Sequence, residues 1–100
     1  MIGFTTVRIV GPSMEPAMRN GEVYLALTGA RVDVGDVVVC RHPLRPDLLT
    51  VKRVTGRIDG AWWIEGDNPD ASSDSREFGP VTADLVRGKI VARLRPLLRG

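Results

Sequence analysis

Three segments carry residue types that can do chemistry together. Gly11-Pro12-Ser13-Met14-Glu15-Pro16 places a serine between two prolines. Each proline fixes its own φ and stiffens one flank, and a hydroxyl at a rigid corner is where a nucleophile can stand. Leu49-Thr50-Val51-Lys52-Arg53-Val54 is the second segment. In an extended chain Lys52 shares a face with Thr50 and Val54, whereas Val51 and Arg53 turn to the other side. A lysine among β-branched neighbours loses solvent, and desolvation lowers its pKa because the ammonium loses hydration. A neutral amine near pH 7 is a general base that can take the proton of a serine hydroxyl. The third segment, residues 66–79, holds four acidic residues, three serines and Arg76. Each piece alone has a plainer reading: Ser13 as a turn residue, Lys52 as a solvated strand lysine, the serines as loop polarity.

Taken in this order, the pieces resemble the type I signal peptidase family of Ser–Lys endopeptidases. The resemblance rests on Gly11-Pro12-Ser13-Met14-Glu15-Pro16, Gly35-Asp36-Val37-Val38-Val39 and Val51-Lys52-Arg53-Val54-Thr55-Gly56. It is completed by Ser72-Ser73-Asp74-Ser75-Arg76, followed by Gly79-Pro80-Val81. It runs from about Val7 to Lys89. It implies acyl transfer, with Ser13 as nucleophile and Lys52 as general base. It further implies that Ser72 hydrogen-bonds the Lys52 amine, and that Asp74 and Arg76 form a supporting pair with Arg53 near the same carboxylate. The backbone N–H of Ser13 is the first donor for the oxyanion. Many bacterial relatives have a serine two positions before the nucleophile; Gly11 stands there in this chain. A polypeptide substrate would pair in extended form with the strands before Ser13 and before Lys52. Ile9, Met14 and Val51 are expected to line its side-chain pockets, with small residues preferred at the cleaved position and two before it.

Positioning such groups needs a scaffold, and the local pattern predicts strands. Short β-rich runs at residues 4–10, 22–28, 37–42, 48–57, 61–65 and 89–94 are separated by turn pairs such as Gly11-Pro12, Asn20-Gly21 and Asp59-Gly60. Thr82 is placed to cap one short helical turn through Leu85. Residues 66–79 read as a loop without regular structure, which is long for a small domain and marks function. The pattern predicts a single all-β domain over residues 1–100, a small coiled sheet or partly open barrel. Trp62-Trp63 should put one ring in the core and one outside.

Composition narrows the partners. The 100 residues are 43% apolar and 26% charged, with a net charge of +2, too near balance to imply nucleic acid. Cys40 is the only cysteine, so neither an intrachain disulfide nor a cysteine-built zinc site can form. Cys40 reads as core, His42 as a strand-end residue, and no metal or cofactor is implied. No apolar run approaches the roughly 20 residues of a membrane span, and residues 1–8 lack the order of a secretory signal. These features lead to the expectation of a cytoplasmic enzyme. Within the family they favour the short branch that removes the propeptide of a nickel superoxide dismutase precursor. The alternatives are a peripheral-membrane signal peptidase that cleaves secretory leaders, and a non-catalytic β domain that binds extended peptides. In the first, a partner or the basic end (Arg87, Lys89, Arg93, Arg95 and Arg99, with Leu94, Leu97 and Leu98) would supply the membrane contact.

Overall fold

Turn chemistry sets the strand limits. The computed structural model describes residues 2–95, so Leu97, Leu98 and Arg99 of the basic end lie outside the described residues. The strands are β1 (Gly3–Arg8), β2 (Val23–Thr28), β3 (Val37–His42), β4 (Arg45–Ile58), β5 (Ala61–Glu65) and β6 (Val86–Arg95). Asp59 and Gly60 both have positive φ, 49° and 80°. That is the conformation of a two-residue hairpin turn matching strand twist, and it sets Ile58 opposite Ala61.

The strands form one antiparallel sheet in the order β1-β2-β6-β3-β4-β5. β3 lies in its middle and is covered on both faces: Val38, Val39 and Cys40 are consecutively buried. Val38 and Cys40 join Val54, Trp62, Ile64 and Val81 in one core cluster. Ile9, Met14, Met18 and Tyr24 form the other, with Val37, Val51 and Ile90 packed against it. Along β5, Trp62 and Ile64 point inward and Trp63 is half-exposed, the alternation expected of a strand with one covered face. Register shifts in the β2–β6, β3–β4, β3–β6 and β4–β5 pairs mark irregularities that bend and coil a sheet.

Among the described residues, the strand edges without a strand partner include two that flank Ser13 and Lys52 in sequence. β1 pairs only with β2. β5 pairs with β4 from Arg53 onward, so residues 45–52 of β4 have β3 on one side alone.

Three expectations about local structure change. β4 begins at Arg45, because Pro46 falls in the stretch between the Arg41–Leu49 and His42–Arg45 pairs, where no ladder bond asks for its N–H. Residues 66–79 are not structureless: they hold a 3-10 turn, Pro69–Ala71, and one helical turn, α1 (Ser75–Phe78). Asp74 caps α1 by accepting from the Arg76 N–H, and one turn is too short to show a period in sequence. Thr82 precedes the 3-10 turn Ala83–Leu85 without a side-chain cap bond, and β6 starts at Val86, directly after it.

Candidate active site

The Ser13 corner is built by hydrogen bonds to its backbone. Asn20 Oδ1 accepts from the Gly11 N–H at 2.8 Å, and Gly11 has a φ of 85°, a region that favours glycine. Met14, wholly buried, anchors the next residue in the core beside Ile9, Met18 and Tyr24. Asn68 grips the carbonyls of both Pro12 and Ser13. Its backbone N–H donates to Ser13 O at 2.9 Å, and its Nδ2 donates to Pro12 O at 3.1 Å. Pro12 C=O and Ser13 N–H belong to one planar peptide, so holding that oxygen aims the Ser13 N–H. Gly66 packs so close that a Cβ there would meet Ser13 O at 2.6 Å and overlap the Ser72 hydroxyl.

Asn68→Ala is therefore expected to lower kcat about tenfold, with KM nearly unchanged. The developing oxyanion loses a well-aimed donor, while the Glu15 N–H still holds Pro12 O at 3.1 Å. Steady-state kinetics on a cleavable peptide check this; a rise in KM alone would place Asn68 in substrate binding instead.

Lys52 extends from the middle of β4 and is 3% exposed. Burial pushes its amine below the ordinary lysine range; the Asp74 charge opposes that shift and the Arg76 charge adds to it. Among the described residues no carboxylate forms an ion pair with it. Ser13 and Lys52 line the same groove, of about 700 Å³, which runs along residues 6–14 and 48–52. Ile9, Met14 and Val51 line it too.

Asp74 is the hub of the loop behind Lys52. It is 1% exposed and accepts five hydrogen bonds. Oδ2 takes those of Ser72 Oγ (2.6 Å), Gly66 N–H (2.8 Å) and Arg76 Nη2 (2.6 Å). Oδ1 takes those of Arg76 Nε (3.0 Å) and Arg76 N–H (3.1 Å). Desolvation alone would raise this carboxyl, but the Arg76, Ser72 and Gly66 bonds outweigh it and hold it well below the usual carboxylate range. Arg76 Nη2 also donates to Gly66 O at 3.1 Å, and Ser75 Oγ accepts from the Ile64 N–H at 2.9 Å. The loop is thereby tied to the end of β5.

Two expected pairings are replaced. The Ser72 hydroxyl donates to Asp74, a charged acceptor two residues away, and among the described residues it forms no hydrogen bond with Lys52. Arg53 does not approach Asp74. It lies on the opposite face of β4 from Lys52 and forms a two-pronged pair with Asp67, Nε–Oδ1 3.0 Å and Nη2–Oδ2 2.9 Å. A further bond runs from Arg53 Nη1 to Gly35 O at 3.1 Å. Sequence alone assigns no role to Gly66, Asp67 or Asn68; their adjacency at the head of the acidic loop is the only local signal.

Cys40 and His42 are buried away from the groove lining. Desolvation pushes the Cys40 thiol up to about 11, which disfavours the thiolate a nucleophile needs. His42 Nδ1 accepts from the Leu44 N–H at 3.1 Å. Among the described residues no group of three or more His, Cys, Asp or Glu is arranged to hold a metal ion, and no helix is long and apolar enough to cross a membrane.

The chain is similar to known proteases. Mitochondrial inner membrane protease subunit 1 of Xenopus tropicalis is 37% identical over 111 aligned positions, covering 87% of this chain and 66% of that protein. Mitochondrial ATP-independent inner membrane protease subunit 1a of Arabidopsis thaliana is 34% identical, covering 92% and 71%. The human inner membrane protease subunit 1 is 32% identical, covering 87% and 67%. The chain thus spans about two thirds of the length of these relatives. They are named as membrane proteases, which gives no support to nickel superoxide dismutase maturation in the cytoplasm and favours the alternative of a membrane-associated signal peptidase. That branch was favoured by features missing from the sequence, and a missing feature recognises no substrate. The profile of the peptidase S24-like family matches residues 4–91, nearly the whole chain, and with it the chain belongs to that family of serine endopeptidases.

Proposed function

We propose that this chain is a Ser–Lys endopeptidase of the leader-peptidase type, acting on an extended polypeptide at a membrane. One observation carries the reading: Ser13 and the buried Lys52 line a single groove that runs beside two strand segments lacking partners. A peptide laid in the groove can pair its main chain with the segment that follows β1 and with residues 48–51 of β4, while its alternate side chains meet Ile9, Met14 and Val51. The resemblance to the type I signal peptidases implies small side chains at the cleaved position and two before it.

In this reading Ser13 Oγ attacks the scissile carbonyl as Lys52 Nζ takes its proton. The oxyanion is met by the Ser13 N–H, held in place through Asn68. The Lys52 ammonium then protonates the leaving amine, and a water deprotonated by the same amine releases the acyl group. Asp74, pinned by Arg76 and Ser72, supplies negative charge behind the lysine without entering the reaction. The membrane setting is supported by the relatives' names. It is also supported by exposed apolar side chains that line the groove, Val10 at 81% and Leu49 at 54% exposure.

The test is a peptide library presented with and without lipid vesicles, with products read by mass spectrometry. Cleavage after a small residue is expected, absent in Ser13→Ala, with peptide binding retained by that variant. Binding by the parent without cleavage of any sequence would leave a peptide-binding domain in its place.

A further inference from the structure

A second concavity, of about 440 Å³, shares no lining residue with the catalytic groove. Arg31 from the β2–β3 connection, Arg57 from the end of β4 and Arg87 from the start of β6 all line it, and Asp33 is its one acidic residue. Arg57 is five residues along β4 from Lys52, roughly 16 Å at about 3.3 Å per residue.

Arg57 is positioned by an aromatic ring, and among the described residues none of the three arginines is closely neutralised. The Arg57 guanidinium lies 4.7 Å from the centroid of the Trp62 ring. Such stacking uses the flat face of the group and leaves its N–H edge free. Among the described residues neither Arg57 nor Arg87 is in an ion pair. Arg31 approaches Asp33 only at 3.9 Å, with both side chains largely exposed. Arg53, Arg76 and Arg93, by contrast, meet Asp67, Asp74 and Glu22 at 2.9, 2.6 and 3.3 Å. The segment bearing Arg31 is itself tied back: Lys89 Nζ donates to Arg31 O at 3.4 Å and pairs with Asp36 at 3.4 Å.

We propose that this concavity binds a phosphate-type oxyanion, carried by a free phosphate monoester or by an anionic lipid headgroup. Three guanidinium forks arriving from three segments suit a tetrahedral group with several acceptor oxygens better than a planar carboxylate with two. A bound anion also relieves the repulsion among three like charges gathered around one hollow. The site does not depend on the peptidase reading.

The experiment is an NMR titration of the intact chain with inorganic phosphate and then glycerol 3-phosphate. A parallel arm measures binding to phosphatidylglycerol-containing and to purely phosphatidylcholine vesicles. Saturable shifts are expected at the Trp62 indole, the Arg57 and Arg87 side chains and the Gly88 amide. The double variant Arg57→Gln/Arg87→Gln should raise the phosphate Kd about tenfold or more, and Asp33→Asn should lower it. Peptide cleavage and amide dispersion should be unchanged, which separates loss of the site from loss of the fold. Arg57→Lys/Arg87→Lys keeps the charge without the fork and should bind between the two extremes. Vesicle binding that needs phosphatidylglycerol, is competed by phosphate and is lost in the glutamine variant assigns the headgroup as source. Phosphate binding without vesicle binding assigns the soluble monoester. The proposal is overturned by any of three results: no saturable shift with phosphate, equal affinity in the glutamine variant, or full affinity in the lysine variant, which would reduce the effect to net charge.

Discussion

Lys52→Met is expected to lower kcat/KM about 10⁴-fold or more and, at the same time, to raise the thermal midpoint at neutral pH. The activity loss follows from removing the group proposed to take the Ser13 proton. The stability gain follows from burial. Desolvation holds the folded-state amine below its unfolded value of 10.5, so between the folded value and 10.5 the unfolded chain binds more protons. Stability of the parent must then rise with pH through that window, and below it the cost of burying the charge is felt in full. Methionine has similar length and no charge, so its advantage should be present at neutral pH and disappear above about pH 10.5. Thermal unfolding of parent and variant from pH 6 to 11 checks the sign. The parent's cleavage rate should climb with pH on an acid limb set by the same depressed amine. A variant that cleaves within a few-fold of the parent, or melts lower at every pH, would remove Lys52 from its role.

Asp74→Ala should destabilise the fold by about 3 kcal/mol, and activity should fall with it. The estimate combines a lost helix cap, about 1 kcal/mol, with buried donors left unpaired, about 1–3 kcal/mol. The stranded donors are the Gly66 N–H and the Ser72 hydroxyl, both in the loop that also carries Asn68 to Ser13. Asp74→Asn keeps one acceptor oxygen but turns an amide NH2 toward other donors, so it should fall between parent and alanine. The pH dependence has the opposite sense to that of Lys52. The folded carboxyl lies below its unfolded value of 3.8, so its contribution is complete above that value and drains away as pH falls through the folded one. Urea unfolding at pH 7 and pH 3 should show a large gap between parent and variant at pH 7 and a smaller one at pH 3. An equal gap at both would mean that the charge of Asp74 contributes nothing to the fold.

The exposed Phe4, Leu44 and Leu49 show where local reading stops. Each sits in or beside a strand, where alternation alone would assign it to one face or the other. Whether that face is covered depends on which strands the sheet brings near. Val39 shows the reverse: a run of buried residues in β3 reports a strand covered on both faces, which no two-face alternation announces.

The sequence by itself determined the strands, their turns, the serine corner and the lysine on the face of Val54, because strand period and turn chemistry act over a few neighbouring residues. The family resemblance, rather than local pattern, implied the Asp74–Arg76 pair, two positions apart. Only the tertiary structure decided that Arg53 meets Asp67, that the Ser72 hydroxyl donates its hydrogen bond to Asp74, and that Asn68 reaches back 56 positions to Pro12. Partner choice of that kind depends on how the acidic loop folds over the end of β5 and under the Ser13 corner. Hydrogen-bonding groups take whichever acceptor the folded chain brings within about 3 Å, and spacing along the sequence carries no measure of that approach.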